Sequence, residues 1–152
     1  MAFLIKNTLE SIQGYCRASG HFGNVMIGEP KSPPSGIKPT AAIFMTSANV
    51  VQLMMDGDTL ESHVVTLRIY RDMLEDSVEI AETTLAAAIS SISEDLLGDY
   101  DLGGTINHID AAGIHGQDFS MTWGYISISD KMYRTVDIMI PVIVDGSATM
   151  AV

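Results

Sequence analysis

Residues 76–98 have the pattern of one long amphipathic helix with a marked start and end. Asp76 is a capping residue with Glu79 three positions later, and Gly98 stands at the opposite end. Between them apolar residues recur every three or four positions, which predicts a single buried stripe. The stripe consists of Val78, Ala81, Leu85, Ala88, Ile89, Ile92 and Leu96. A helix with one apolar stripe has to pack on a second layer, and the rest of the chain must supply it.

The segments on both sides of this helix have the two-residue period of β-strands. Residues 62–71 place Val65, Leu67 and Ile69 on one face and a mixed set on the other. Because the mixed set includes Arg68 and Tyr70, that face is either solvent-exposed or a subunit contact. Further strands are predicted at residues 24–28, 40–55, 104–113, 119–129 and 132–144, with turns at Asp56-Gly57-Asp58 and Asp130-Lys131.

A second amphipathic helix is predicted over residues 3–18. Its apolar stripe consists of Ile5, Leu9, Ile12 and Cys16, which step by four, three and four. Cys16 is the one cysteine, so an intrachain disulfide is excluded, and its place on the stripe favours a buried hydrophobe over a nucleophile. The whole pattern predicts one α+β domain over residues 1–152, with a mixed, largely antiparallel β-sheet packed against two α-helices.

The charge balance restricts the partners of such a domain. The 152 residues contain 19 acidic and 8 basic side chains, for a net charge of -11. Because nucleic-acid binding is driven by cations that displace counterions, a role in gripping nucleic acid or anionic lipid is not expected. Nine of the acids and no lysine or arginine lie between Asp72 and Asp101, which indicates either a solvated helix face or a negatively charged wall.

No targeting signal or membrane span is predicted from the sequence. The opening apolar run is interrupted at Lys6, and the longest uncharged stretch, residues 39–55, contains too many polar residues for a spanning helix. We therefore expect a soluble intracellular domain or a part of a particle, with no membrane partner.

Residue patterns that carry chemistry are also missing from the sequence. Phosphate-binding, dinucleotide-binding and nucleophile-elbow motifs do not occur, and a single cysteine excludes a Cys-x-x-Cys zinc site. His108 and Asp110 share a predicted strand face, but a third ligand of matching spacing is lacking. Residues 99–110 resemble a calcium loop, yet Gly103 replaces an oxygen ligand and Asp110 replaces the bidentate glutamate. We expect no catalytic residue, cofactor or metal, and no enzyme activity.

Two loops are candidates for contact with partners. Residues 20–39 are rich in glycine and proline, and a loop this long in a compact domain is usually functional. Residues 56–61 form the second loop, and residues 145–152 are expected to form a short C-terminal tail.

Five segments, in this order and spacing, are similar to those of one phage protein family. They are Gly-Glu-Pro-Lys-Ser-Pro-Pro-Ser-Gly at 28–36, Thr-Ala-Ala at 40–42, Thr-Leu-Arg-Ile-Tyr at 66–70, Gly-Asp-Tyr-Asp-Leu-Gly-Gly at 98–104 and Lys-Met-Tyr-Arg at 131–134. Together they resemble the tail terminator (tail completion) proteins of long-tailed, siphovirus-type phages with non-contractile tails. The resemblance covers nearly the whole chain. Pro39 departs from it, because a less rigid residue is expected before the first long strand.

The resemblance implies a fold of the lambda-type tail terminator and a structural role without covalent chemistry. It implies a homo-oligomeric ring, typically a hexamer, at the tail–neck junction of a virion assembled in the host cytoplasm. Such a ring sits on the last ring of the major tail tube protein, stops its polymerisation and forms the docking surface for the head-completion (stopper) protein. Double-stranded DNA passes through the lumen without specific binding. The alternatives are a head-completion or connector protein of the same neck, and a small acidic enzyme or binding module.

Loop and strand positions supply candidate residues for these roles. The candidate contacts between subunits or rings are Glu29, Pro30, Lys31, Asp56, Asp58, Arg68, Tyr70, Arg71, Lys131 and Arg134. The candidate acids that line the lumen are Glu75, Asp76, Glu79 and Glu82. Like charge along such a channel is expected to let DNA slide without adhering.

Overall fold

The fold, in a computed structural model, is α+β: two helices and a mixed, curled sheet of six strands. The structure describes residues 5–31, 38–53, 55, 57–72 and 78–147. In chain order the elements are α1 (Ile5–Ser19), β1 (Asn24–Ile27), β2 (Thr40–Leu53), β3 (Asp58–Asp72), α2 (Val78–Gly98), β4 (His108–Ile109), β5 (Ser120–Ile128) and β6 (Lys131–Ser147). The predicted fold class, a mixed and largely antiparallel sheet with two helices, is confirmed.

The strand order gives the sheet two different sides. It runs β1-β2-β3-β6, and β4 and β5 both pair with β6 beyond it. Among the described strands, only the β1–β2 pair is parallel. β5 pairs with residues 131–139 of β6, whereas β4 pairs with Val142 and Ile143. The short β4 therefore continues the line of β5 along the outer side of β6.

Both helices cover the same face of the sheet, which we call the helix face. The apolar stripes predicted for the helices form the core here, with Leu9, Ile12 and Cys16 from α1 and Leu85, Ile92 and Leu96 from α2 among its members. They pack on the alternating residues Val65, Leu67, Ile69, Val136, Ile138 and Ile140. The spacing of three and four on the helices and of two on the strands thus explains how one core forms.

The opposite face of the sheet is buried in part by the sheet itself. The rings of Tyr70 and Tyr133 meet edge to face at 6.1 Å, and both side chains are almost fully buried together with Ala42. Met26, Ile126 and Ile128 pack against them. From the alternation in β3, this face is expected to be either exposed to solvent or part of a subunit contact. At Tyr70 it is neither, because the curled sheet covers the ring.

The predicted strand at residues 104–113 is wrong apart from His108 and Ile109. Leu102, Gly103 and Gly104 all have positive φ, so the chain turns instead of extending. After the two-residue strand, the buried Asp110 carboxylate accepts hydrogen bonds of 2.9 Å from the backbone N–H groups of Ile114 and His115. This carboxylate holds the next turn in place, so polar contacts override the apolar pattern of the segment.

Several predicted boundaries also need correction. The β5–β6 turn is centred on Ser129 and Asp130, both with positive φ, and is one residue earlier than predicted. β3 begins at Asp58, so most of the predicted loop at 56–61 is a strand. β6 continues to Ser147, so the predicted tail begins three residues too early and its remainder, residues 148–152, lies outside the described residues.

Candidate interaction surfaces

The outer half of β2 is a sheet edge that carries no neighbour in the described part of the chain. β1 pairs only with Thr40 to Ile43, and Gly28 donates one further hydrogen bond of 2.7 Å to the Ile43 carbonyl. Beyond that point the strand pairs with β3 on one side alone. We call residues 45–53 the β2 edge. Its unpaired backbone N–H and C=O groups are a template for another strand.

Apolar side chains are exposed along and beyond the β2 edge. Val50 and Leu53 are 58% and 62% exposed, and Met55 in the following turn is fully exposed. Register shifts between Met45 and Ser47 and between Val50 and Gln52 bend the strand here. Val50 lies opposite Glu61 and Leu53 opposite Thr59, and both project on the helix face, beyond the cover that the helices provide. This edge is therefore both apolar and unpaired.

A groove between α2 and β5 marks the opposite side of the sheet. It has a volume of about 370 Å³, and we call it the α2–β5 groove. Three small residues on one side of α2, Ala86, Ser90 and Ser93, leave room for it. The remaining lining residues are Ile89, Glu94, Leu97, Met121 and Trp123. Leu97 and Trp123 are more than 40% exposed, so apolar surface faces solvent here as well.

An ion pair fixes α2 beside β5 at the end of this groove. The Arg134 guanidinium donates to the Glu82 carboxylate at 2.6 Å and lies 4.5 Å from the centre of the Tyr125 ring. Arg134 was predicted as a contact residue and Glu82 as a lumen acid, and the structure brings the two together. Within the subunit, this pair holds the helix and the two strands in register.

A second polar cluster lies on the other face of the sheet. Arg68 donates to both oxygens of Asp137, at 2.7 and 3.0 Å, and these bonds raise the pKa of the guanidinium further above its ordinary value. Glu29 lies 3.9 Å away, and the Phe44 ring centre lies 5.2 Å from the guanidinium carbon. The predicted contact residues Glu29 and Arg68 are thus neighbours, across a gap of 39 positions in sequence.

Three other predicted contact residues turn inward. Lys131 lies 2.5 Å from the Asp72 carboxylate and 5.8 Å from the Tyr133 ring centre. Tyr70 and Arg71 are each 3% exposed. Burial removes these last two side chains from the surface of the subunit, so neither is available for a contact in this conformation.

The remaining predicted residues divide between exposed positions and undescribed ones. Lys31, Asp58 and Glu79 are exposed, and Pro30 is half-buried. Asp56, Glu75 and Asp76 lie outside the described residues. The predicted roles of the exposed residues in inter-ring contacts and in a lumen remain predictions.

Charge is distributed unevenly between the two sides of the sheet. α1 packs on β1, and Arg17, Lys31 and Lys38 are exposed around this pair of elements. On α2, in contrast, Glu79, Glu94 and Asp95 are exposed. With Lys6 added and the exposed acids Glu10 and Glu29 counted against them, the side that carries β1 is net basic, whereas the side that carries α2 is acidic.

A hydrogen bond connects the first helix to the end of the second. The Tyr15 hydroxyl donates to the Asp99 carboxylate, which raises the pKa of Tyr15 and lowers that of Asp99. The two aspartates at the ends of the calcium-loop-like segment, residues 99–110, therefore have different partners. Asp99 accepts a hydrogen bond from Tyr15, whereas Asp110 accepts hydrogen bonds from backbone N–H groups.

Candidate groups for chemistry are few in the described part of the chain. Among the described residues, no group of three or more His, Cys, Asp or Glu side chains is placed to hold a metal ion. Cys16 is fully buried, and burial raises the pKa of its thiol to about 12. This confirms the prediction of a buried hydrophobe. None of the described helices is both long and apolar enough to span a membrane.

Comparisons with known proteins give a remote structural likeness. No protein-family model matches the chain, and no curated protein matches it. A solved sheath/tube terminator of an extracellular contractile injection system, in its extended state, is similar at 10% sequence identity and a TM-score of 0.39. The likeness covers all of this chain and 62% of that one. At this level it does not define a family.

Sequence reasoning missed both the β2 edge and the α2–β5 groove. The edge follows from the brevity of β1, which leaves most of β2 paired on its β3 side alone within the described part of the chain. The groove had a local signal in the small residues Ala86, Ser90 and Ser93, spaced by four and three on one side of a helix. Only the β5–β6 register, however, places Trp123 across from them.

Proposed function

We propose that the chain is a structural subunit of a closed ring that ends a phage-type tail tube. The observation that carries the proposal is that, among the described strands, β2 over residues 45–53 and β5 each pair on one side alone, at opposite sides of one sheet. The β2 edge, residues 45–53, and β5 (Ser120–Ile128) are of equal length and differ in shape, because register shifts bend β2 but not β5. A subunit with two different interaction surfaces makes heterologous contacts with its neighbours. Such contacts generate a ring when the rotation between neighbouring subunits closes.

The terminator role within this proposal is supported by the resemblance of the five segments described above. A ring of this kind is complementary on one face to the last ring of the tail tube protein and rejects further tube subunits. Its other face receives the head-completion protein. Specificity then comes from matching one partner and excluding another, with no covalent step.

The acidic excess is part of the proposal. We infer that some of the exposed acids, with Glu79 as a candidate, line a lumen through which double-stranded DNA passes. Repulsion between carboxylates and phosphates prevents adhesion, so DNA moves freely. A ring with a neutral or basic lumen would contradict this part of the proposal and leave the rest standing.

The oligomeric state of the purified chain tests the ring directly. We expect native mass spectrometry to give a closed oligomer, with six copies of the 16.4 kDa chain as the expected species at about 98 kDa. A ladder without a preferred size would indicate an open, non-closing contact. A monomer at every concentration would contradict the ring.

A further inference from the structure

We propose that the ring closes by strand addition: the β2 edge of one copy pairs antiparallel with β5 of the next. The apolar side chains of the added strand then cover the α2–β5 groove. This inference rests on the proposed function, because it names the contact between copies that the ring requires. It commits to a second copy of this chain as the occupant of the groove.

Exposed apolar surface is concentrated on the two sides that this contact joins. Of the thirteen large hydrophobic side chains exposed among the described residues, ten lie on or beside β1 and β2 or on or beside the groove. The first group is Ile27, Met45, Val50, Leu53 and Met55, and the second is Leu97, Met121, Trp123, Tyr125 and Met132. The two groups lie at opposite sides of one sheet, so they cannot cover each other within a single subunit. A second copy brings them together.

The strand directions select the antiparallel arrangement. β2 and β6 run in the same direction because each is antiparallel to β3, and β5 runs against β6. If the ring axis runs parallel to the strands, rotation about this axis leaves β2 of the neighbouring copy pointing in the same direction as β2 of the first copy. That strand therefore meets β5 antiparallel, and the backbone groups of the two edges form an ordinary ladder.

The side-chain faces agree with this arrangement. Ala48, Val50 and Leu53 share the helix face, because they lie opposite His63, Glu61 and Thr59 of β3. Trp123 and Met121 also lie on the helix face, opposite Val136 and Ile138. A continuous sheet keeps its faces, so the first three side chains come to lie over the groove that Trp123 lines.

Charge complementarity favours two different edges over a two-fold contact. Head-to-tail pairing sets the basic β1 side, with Arg17, Lys31 and Lys38, beside the acidic α2 side of the next copy. Pairing of β5 with β5 would instead bring two acidic helices together, which is unfavourable. Pairing of β2 with β2 would leave both grooves open to water. Of the three arrangements, only the heterologous contact brings opposite charges together and also buries the apolar side chains of both surfaces.

Two single variants test the contact. Val50→Glu places a carboxylate on the β2 edge, and Trp123→Glu places one in the groove. Both side chains are at least 41% exposed in the subunit, so we expect each variant to fold. We expect each alone to associate at least ~30-fold more weakly than the unmodified chain and to be monomeric at micromolar concentration.

Mixing the two variants gives the decisive result. Val50→Glu keeps an intact groove and Trp123→Glu keeps an intact β2 edge, so an equimolar mixture should form a 1:1 dimer and nothing larger. Ile114→Glu, at a still more exposed apolar residue outside both surfaces, is the control and should leave the oligomer unchanged. Circular dichroism of each variant checks that the fold is retained.

Other outcomes overturn the inference in ways that separate it from the proposed function. If the unmodified chain is a ring and either variant retains it, the contact proposed here is wrong while the ring stands. If Trp123→Glu alone still dimerises, the contact is a two-fold β2–β2 pairing. If mixing restores no dimer, the two edges do not meet. If the unmodified chain is monomeric, the ring itself fails.

Discussion

Leu85→Ala is expected to lower the free energy of unfolding by about 3 kcal/mol. Leu85 is completely buried on the stripe of α2 and packs in the core between this helix and the sheet. Truncation removes three heavy atoms and leaves a cavity that a close-packed interior fills only partly. Urea denaturation of the variant and the unmodified chain, at the same protein concentration, measures the difference in the free energy of unfolding. The protein concentration is kept the same because assembly also contributes to apparent stability.

Leu97→Ala is the matched control for this loss. Leu97 is on the same helix, twelve positions later, but is 44% exposed and lines the α2–β5 groove. We expect this substitution to lower the free energy of unfolding of the subunit by less than about 1 kcal/mol. Equal decreases for the two variants would mean that α2 does not pack on the sheet through the face that carries Leu85.

Stability is expected to fall between pH 9 and pH 12 in a way that depends on Cys16. Burial raises the pKa of the thiol from its ordinary 9.0 to about 12, so the unfolded chain ionises first as the pH rises. The stabilisation is complete below pH 9 and is lost progressively above it. By pH 11 the thiol alone should lower the free energy of unfolding by about 3 kcal/mol.

Cys16→Ala isolates this contribution, because every other titrating group is shared. The unmodified chain should be the more stable at pH 8, and its advantage should shrink or reverse by pH 11 in parallel urea titrations. A native thiol should also resist aromatic disulfide reagents until the chain unfolds. Rapid labelling of the folded protein, or parallel pH profiles, would show that Cys16 is exposed.

The sequence predicts the helices and the long strands well because their patterns are local. The stripe of α2 from Ala81 to Leu96, and the alternation of Val65, Leu67 and Ile69, can be read within one element. The failure at residues 104–113 has a different origin. Positive φ at Leu102 and hydrogen bonds to the Asp110 carboxylate are set by tertiary context, and no apolar pattern reveals them.

The interaction surfaces were harder to predict because they depend on which strands pair. β2 is a free edge only because β1 stops at Ile27, and Trp123 faces α2 only through its register with Val136. The charge pattern was informative but incomplete. Glu82 belongs to the acid-rich segment, yet its partner Arg134 lies 52 positions away and becomes adjacent only in the fold.

Tail length in virions that lack this protein tests the central claim most directly. If the chain ends the tail tube, deletion of its gene should yield abnormally long tails beside full, unattached heads in electron micrographs. Complementation with the unmodified gene should restore tails of uniform length. Tails of normal length that fail to attach to heads would contradict the terminator role and point to a head-completion protein.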